Sequence, residues 1–289
     1  MLTVRAPAKV NLVLEVLRRH QGYHDICSIA QTIDLCDTLT FEPAHEILFT
    51  CSEPALMQDN LVPRAARLLR ERFMICEGAR IHLEKHIPRA AGLGGGSSDA
   101  AATLLALNRM WEMGLRQDQL ISLGAEMGSD IPLFLLGGTV LLEGRGEQVR
   151  PLPEHPELHV VILTPHSPVV AGKTGLMYGR LLPEWFTRGQ FVRAAAFALG
   201  RNKAIPGDLM FNVFEKVAGD VFEGLARDRA LLEEATGVRA RLAGSGPCLY
   251  VLLESQKAAE EAAMRLDGMS RHVFTARSIS AAAFESNPS

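Results

Sequence analysis

At 289 residues, with 47% hydrophobic and 22% charged side chains, the chain has the composition of a globular protein with room for one large or two medium domains. A net charge of −3 with no dense basic run excludes the broad electrostatic footprint of a nucleic-acid binder, while leaving a small polyanionic ligand compatible. The longest apolar stretch, Ile131 to Leu142, is broken by Pro132, Gly137 and Gly138 and is too short to cross a bilayer, so no membrane partner is expected.

The first segment, MLTVRAPAKVNL, lacks the sustained apolar run of a secretory signal, and a cytoplasmic location is the expectation. Val10 to Leu17 reads as a strand. A turn at Gly22, a long alternating segment from Ile26 to Phe41 and a further strand at Glu46 to Cys51 predict an initial antiparallel sheet. Asn60 is placed to cap an amphipathic helix with Leu61, Ala65, Leu68, Leu69 and Phe73 along one side. The strand RIHLE then leads into Pro88 to Ala101, PRAAGLGGGSSDAA. Gly92, Gly94, Gly95 and Gly96 lack Cβ atoms, so the backbone there can take positive φ and turn several N–H groups toward an anion. Ser97 and Ser98 are the expected N-caps of the helix that follows, whose N-terminus would attract phosphate. A flexible linker is the alternative reading of the glycines.

Two better-known phosphate motifs do not fit. A dinucleotide loop needs glycine where Ser97 stands, and the nearest Walker A match, SPVVAGKT, has Ser167 in place of its first glycine, which marks Gly172, Lys173 and Thr174 as a chance match. Beyond the loop, a helix from Gln117 to Met127 precedes Gly128-Ser129-Asp130, and Pro132 suits the first turn of a short third helix. A strand at Thr139 to Glu143 and a Gly144-Arg145-Gly146 turn follow. The run PLPEHP marks a junction between domains 1–155 and 156–289. The second part reads as strand Leu158 to Pro165, helices Gln190 to Leu199, Leu209 to Val217 and Val221 to Ala235, strands Arg239 to Gly244 and Cys248 to Leu253, helix Gln256 to Leu266 and strand His272 to Ile279. Five widely spaced cysteines predict reduced thiols, and the pairs His82/His86 and His155/His159 predict structural or surface histidines.

Three separated segments, PAKVNL (Pro7 to Leu12), PRAAGLGGGSSDAA and LAGSGPCLY (Leu242 to Tyr250), resemble in order and spacing the signature blocks of the small-molecule kinases grouped with galactokinase, homoserine kinase, mevalonate kinase and phosphomevalonate kinase. Within that group, GYHDICSIAQTIDLCDTL (Gly22 to Leu39) and GSDIPLFLLGG (Gly128 to Gly138) resemble the 4-diphosphocytidyl-2-C-methyl-D-erythritol kinases, and the similarity covers nearly the whole chain. The resemblance implies an α+β, two-domain small-molecule kinase fold. Its N-terminal mixed sheet with helices carries the glycine-rich phosphate loop, and its C-terminal domain is a ferredoxin-like sheet with helices. It also implies transfer of the γ-phosphate of ATP, with Mg²⁺, to the 2-hydroxyl of the small molecule 4-diphosphocytidyl-2-C-methyl-D-erythritol, a step in non-mevalonate isoprenoid synthesis. Another kinase of the same group, or a catalytically silent nucleotide-binding protein on that fold, are the competing readings.

The family match makes Asp130 the catalytic base, since in-line phosphoryl transfer needs the attacking hydroxyl's proton accepted; from the residues alone Asp130 is a helix cap. Lys9 is matched to the lysine that orients this carboxylate and offsets developing charge, and otherwise reads as a solvent-facing strand residue. Asn11, on the same strand face, would hydrogen-bond substrate. The resemblance gives the nucleotide phosphates to Pro88, Arg89, Ala90, Ala91, Gly92, Leu93, Gly94, Gly95, Gly96, Ser97 and Ser98, with the Ser98 hydroxyl on Mg²⁺. The pattern names no second Mg²⁺ ligand; Asp99 is a candidate, but an acid in the first helical turn is already explained by the helix dipole. Asn60 and Asn108 match adenine contacts, or are a cap and a helix-face residue. Tyr23 would stack on cytosine and His24 hydrogen-bond it, while Gly244, Ser245 and Gly246 would close over the substrate diphosphate or the transferred phosphate; without the family these are plain turns. The chain departs from the pattern at Val170-Ala171-Gly172-Lys173-Thr174, where many relatives carry a Ser-Thr pair, which leaves Tyr178 without a firm alignment. Asn212-Val213-Phe214-Glu215 likewise lacks the family's second acid. No oligomeric state is specified by the pattern.

Overall fold

The computed structural model describes residues 1–20, 22–165, 172–267 and 272–281. In chain order the first part comprises β1 (Leu2–His20), β2 (Tyr23–Ala44), β3 (Ile47–Cys51), α1 (Leu61–Arg72), β4 (Gly78–Glu84), α2 (Gly95–Met110), α3 (Gln117–Met127), α4 (Ile131–Leu136), β5 (Thr139–Gly144) and β6 (Gln148–Pro151). The second comprises β7 (His159–Thr164), α5 (Lys173–Gly179), α6 (Gln190–Leu199), α7 (Ala218–Val221), α8 (Leu225–Thr236), β8 (Arg241–Leu242), β9 (Leu249–Leu253), α9 (Gln256–Leu266) and β10 (His272–Arg277). These elements form the two-sheet α+β fold expected of the small-molecule kinases.

β1 and β2 make one long antiparallel hairpin, from Leu2 opposite Phe41 to His20 opposite Tyr23. Its register shifts at Pro7/Ala8, where proline has no N–H to give the ladder and a bulge absorbs the mismatch. The far edge of β2 is shared: Ile26 to Gln31 pair with β5, and Thr38 to Ala44 pair with β4. β3 and β6 complete the six-stranded sheet outside them. The second sheet has the order β10-β7-β9-β8, antiparallel throughout.

α1 to α4 cover the first sheet around Phe41, Leu69, Ile81, Leu104, Leu107 and Phe134, all buried. Along β7 the side chains alternate between two cores, as the two-residue period of a strand requires. Val160 and Ile162 pack with Val10, Leu12, Ile29 and Ile33 of the hairpin, whereas Val161 and Leu163 pack with Phe214, Leu232 and Leu266 on the outer layer. The expected junction at 155/156 falls between Pro151, the end of the first sheet, and His159, the start of the second. The hairpin nevertheless serves both cores.

Four local expectations change. Leu209 to Val217 is not a helix but two 3₁₀ turns, Gly207–Leu209 and Val213–Lys216, because the Asn212 carboxamide accepts the Phe214 N–H at 3.0 Å and donates to the Leu242 and Gly244 carbonyls. The helix expected from Val221 is interrupted at Gly224, whose φ of +77° no right-handed helix accommodates. α5 was not foreseen. Finally, Ser97 and Ser98 are not N-caps: α2 begins at Gly95 with Gly94 in the cap position, and both serines lie inside its first turn. The five cysteines are free, with Cys76 exposed. His155 accepts the Ile205 N–H at 3.0 Å and His82 bonds Thr50 at 2.9 Å, so both hold structure.

Candidate active site

The stem of the glycine loop is fixed in the stretch of β2 between its two partners. Asp37 accepts the N–H groups of His86 at 2.6 Å and Ile87 at 2.8 Å with one oxygen, and its other oxygen takes the Lys85 ammonium. Lys85 also reaches Asp99 at 3.0 Å, in the first turn of α2. All three side chains are almost completely buried. Burial opposes the Lys85 charge, but the carboxylates of Asp99 and Asp37 outweigh it and hold its pKa above the ordinary value. Asp99 is pushed upward by burial and by the Asp37 charge, against the pull of Lys85. Loss of Lys85 would leave two carboxylates buried side by side, so the triad locks the loop's entry to its exit.

From this stem the loop crosses β1 and meets the turn before β9. The Lys9 N–H donates to the Leu93 carbonyl at 2.9 Å, and the Cys248 N–H to the Ala91 carbonyl at 3.3 Å. Gly92 has φ +86°, and a Cβ there would stand 1.9 Å from the Ala243 carbonyl oxygen. Gly244, at φ +52°, would place a Cβ 2.8 Å from the Gly92 carbonyl and 2.9 Å from the Lys9 ammonium. Two glycine turns far apart in sequence therefore pack backbone on backbone, which is the physical reason for both motifs. Gly96 meets nothing within 4 Å and opens onto a cleft of ≈ 510 Å³.

That cleft gathers most of the expected residues. Its lining includes Lys9, Asn11, Asn60, Asp130, Gly244 and Ser245, together with the loop residues Pro88, Arg89, Ala90, Ala91, Gly92, Gly94, Gly95, Gly96 and Ser97. Lys9 is not a solvent-facing strand residue: it is 5% exposed and donates to Asn11 Oδ1 at 2.6 Å, while Asn11 donates to Ser28 at 2.9 Å. Burial draws its pKa down, opposed by the charge of Asp130. Asp130 occupies the cap position of α4 but makes no side-chain bond to the helix, so its carboxylate is not spent on capping. Leu93 turns its side chain into the core and contributes only backbone. Ser98 is 1% exposed, and Ser98 Oγ and Asp99 Oδ1 are buried without any partner. Asp99 belongs to the cleft lining and Ser98 does not; their orphaned oxygens, both in the first turn of α2, are of the hard type that Mg²⁺ takes. Among the described residues no group of three His, Cys, Asp or Glu side chains forms a metal cluster.

Other expected contacts are placed differently. Asn60 lines the cleft while capping α1 through the Val62 N–H at 2.9 Å, so its two readings coexist. Asn108 is drawn away: its amide is satisfied by both backbone groups of Leu115, at 2.9 and 3.0 Å, and it borders a separate cavity with Arg109 and Gln117. Gly246 is also outside the lining, its carbonyl accepting from Lys173. Tyr23 is 59% exposed, with the Arg145 guanidinium 5.1 Å above its ring. The His24 ring stacks on Tyr178 at 4.8 Å and meets the edge of Phe186, and Tyr178 in turn meets Phe214. Burial, and then the Arg19 charge, lower the His24 pKa and favour the neutral ring. Burial, and then the Asp130 charge, raise the phenol of Tyr178.

Of the cleft residues, Arg145 and Lys173 are not read from the sequence as site residues, and Tyr178 is named there only without a firm alignment. Arg145 sits in a turn recognised only as a turn. The other two lie on α5, after a segment whose Ser167, Val170 and Ala171 are outside the described residues. The GKT triplet dismissed as a chance motif is the signal that was available.

Residues 60–138 match the GHMP kinases N terminal domain, and residues 194–269 the GHMP kinases C terminal family. The 4-diphosphocytidyl-2-C-methyl-D-erythritol kinase of Dehalococcoides mccartyi is 42% identical over 263 residues, covering 90% of this chain and 92% of that protein. The protein of the same name from Bacillus cereus is 38% identical over 282 residues, 96% of each. A crystal structure of 4-(cytidine 5'-diphospho)-2C-methyl-D-erythritol kinase superposes with a TM-score of 0.81 at 35% identity, over 96% of this chain and 98% of that one. Homoserine kinase from Cytophaga hutchinsonii, at 19% identity and a TM-score of 0.74 over 96% and 94% of the two chains, shares the fold.

Proposed function

The chain belongs to the GHMP kinases and, within them, to the 4-diphosphocytidyl-2-C-methyl-D-erythritol kinases; from that membership we propose that the cleft between glycine loop and hairpin transfers the γ-phosphate of ATP to the 2-hydroxyl of that substrate. The observation that carries the assignment of roles is the Asp130 carboxylate, unspent on its helix, sharing one cleft with Lys9 and the glycine loop. Backbone N–H groups of the loop hold the ATP phosphates. Asp130 takes the proton of the 2-hydroxyl, and that oxygen bonds to the γ-phosphorus. The bond from the γ-phosphorus to the β,γ-bridging oxygen breaks, and ADP leaves with the electron pair. Lys9, steered by its 2.6 Å bond to Asn11, offsets the charge that develops beside Asp130. Ser98 and Asp99 would hold Mg²⁺, which when bound neutralises the β- and γ-phosphates. We place the enzyme in the cytoplasm; no described helix is long and apolar enough to cross a membrane.

The test is ADP release with the cytidylyl substrate, mevalonate, homoserine and galactose offered in parallel. Turnover is expected with the first alone, and activity confined to another alcohol would overturn the assignment. The cytidine end is assigned to Tyr23, His24 and Tyr178, where neutral His24 supplies hydrogen bonds and the rings supply stacking. Tyr178→Ala is therefore expected to raise the KM for the cytidylyl substrate about tenfold, since base–aromatic stacking contributes roughly 1–3 kcal/mol, with the KM for ATP unchanged. Steady-state kinetics varying each substrate in turn would check it.

A further inference from the structure

Lys173 enters the cleft from the short helix α5, at the position where the sequence departs from the family's Ser-Thr pattern. Its side chain is 8% exposed, and the ammonium is anchored on the turn before β9: it donates to the Gly246 carbonyl and lies 3.3 Å from Ser245 Oγ. Thr174, beside it, bonds the same Ser245 hydroxyl at 3.1 Å. The anchors are neutral, so they fix the position of the charge without cancelling it.

What surrounds the ammonium is unusual for a buried cation. Lys9 of β1 and Asp130 at the start of α4 line the same cleft, and the Lys9 ammonium stands 2.9 Å from where a Cβ on Gly244 would sit, in the turn that anchors Lys173. Among the carboxylates of the cleft, Asp99 is paired with Lys85 and Asp59 with Arg64, which leaves Asp130 to serve two buried lysines in a place where burying a surplus charge is costly. A surplus cation in a polar cleft is stabilised when an anion arrives between the two lysines. Resting on the kinase reading above, we propose that Lys173 is a second phosphate-binding lysine, which with Lys9 grips the phosphoryl group in transit and stabilises the charge on its equatorial oxygens. Burial, and then the charge of Lys9, bring its pKa down to about 8, with Cys248 and Asp130 acting in the other direction, so the free enzyme holds it poised near neutrality.

Lys173→Met and Lys173→Arg test this beside the wild-type enzyme with ATP and the cytidylyl substrate. The methionine variant is expected to lose about 10²-fold in kcat, the scale of removing one oxyanion donor, with both KM values held. Its Tm should hold or rise, because a buried charge has been replaced by an apolar chain of similar length. Arginine should recover most of the turnover. In the wild type kcat/KM should fall as pH rises through about 8, where Lys173 loses its proton, and arginine should move that limb upward. Unchanged kcat in Lys173→Met overturns the proposal, as does a raised KM for the cytidylyl substrate alone, which would assign the lysine to the substrate's diphosphate. A lowered Tm with normal kcat also overturns it, by making Lys173 a bolt for the Ser245–Gly246 turn. A wild-type protein inert toward the cytidylyl substrate would instead sink the kinase reading itself.

Discussion

Asp130→Asn is expected to reduce kcat by about 10³-fold, within the range that a positioned general base contributes, while ATP affinity and Tm stay near wild type. Asparagine keeps the shape of the side chain and cannot take the hydroxyl proton. The separation of effects follows from the assigned roles: Asp130 makes no bond to its helix, so little stability is lost, and the ATP phosphates are assigned to the backbone of the glycine loop. A loss of that size is about 4 kcal/mol of barrier. Rapid-quench kinetics for the chemical step, calorimetry for ATP and a thermal melt would check the three parts. Wild-type turnover in the variant would remove Asp130 from the chemistry.

Gly92→Ala is the substitution expected to damage the fold most. Its φ of +86° already disfavours any side chain, and the added methyl would sit 1.9 Å from the Ala243 carbonyl, inside the backbone of the opposing turn. Neither side can yield by rotating a side chain. The loop must lift off the turn, breaking the Cys248-to-Ala91 bond at 3.3 Å and disturbing the Lys9-to-Leu93 bond at 2.9 Å. The expected cost is about 3 kcal/mol or more, in the class of strained-backbone lesions, with ATP affinity lost alongside. Gly96→Ala is the control for stability: its Cβ meets nothing and its backbone is helical, so the melt should match wild type. Equal melts for the two variants would show that the two turns do not constrain each other.

Much of this was legible in the residues. The glycine block predicted a loop emptying into a helix, and Asn60, Pro132 and the alternating strands placed their elements correctly, because caps, proline and period-two patterning act locally. The two serines after the glycines were misread because Gly94 at φ +77° starts the helix earlier than a serine cap would. Asn108 carried a helix-face pattern that fits a ligand contact as well as its actual bonds to Leu115, and nothing local separates the two. Long-range placement was the harder part. That Ala243 lies against Gly92, that Lys85 bridges Asp37 and Asp99, and that Lys173 reaches the turn before β9 depend on pairings between distant segments which no periodicity encodes.

The hairpin that supplies strand backbone to one sheet and apolar side chains to the core beneath the other also limits how the enzyme can move. Val10, Leu12, Ile29 and Ile33 are buried against β7 and β9, so there is no clean hinge about which the halves could swing apart. Severing the chain after residue 155 would therefore give two fragments with bare apolar faces instead of two working modules.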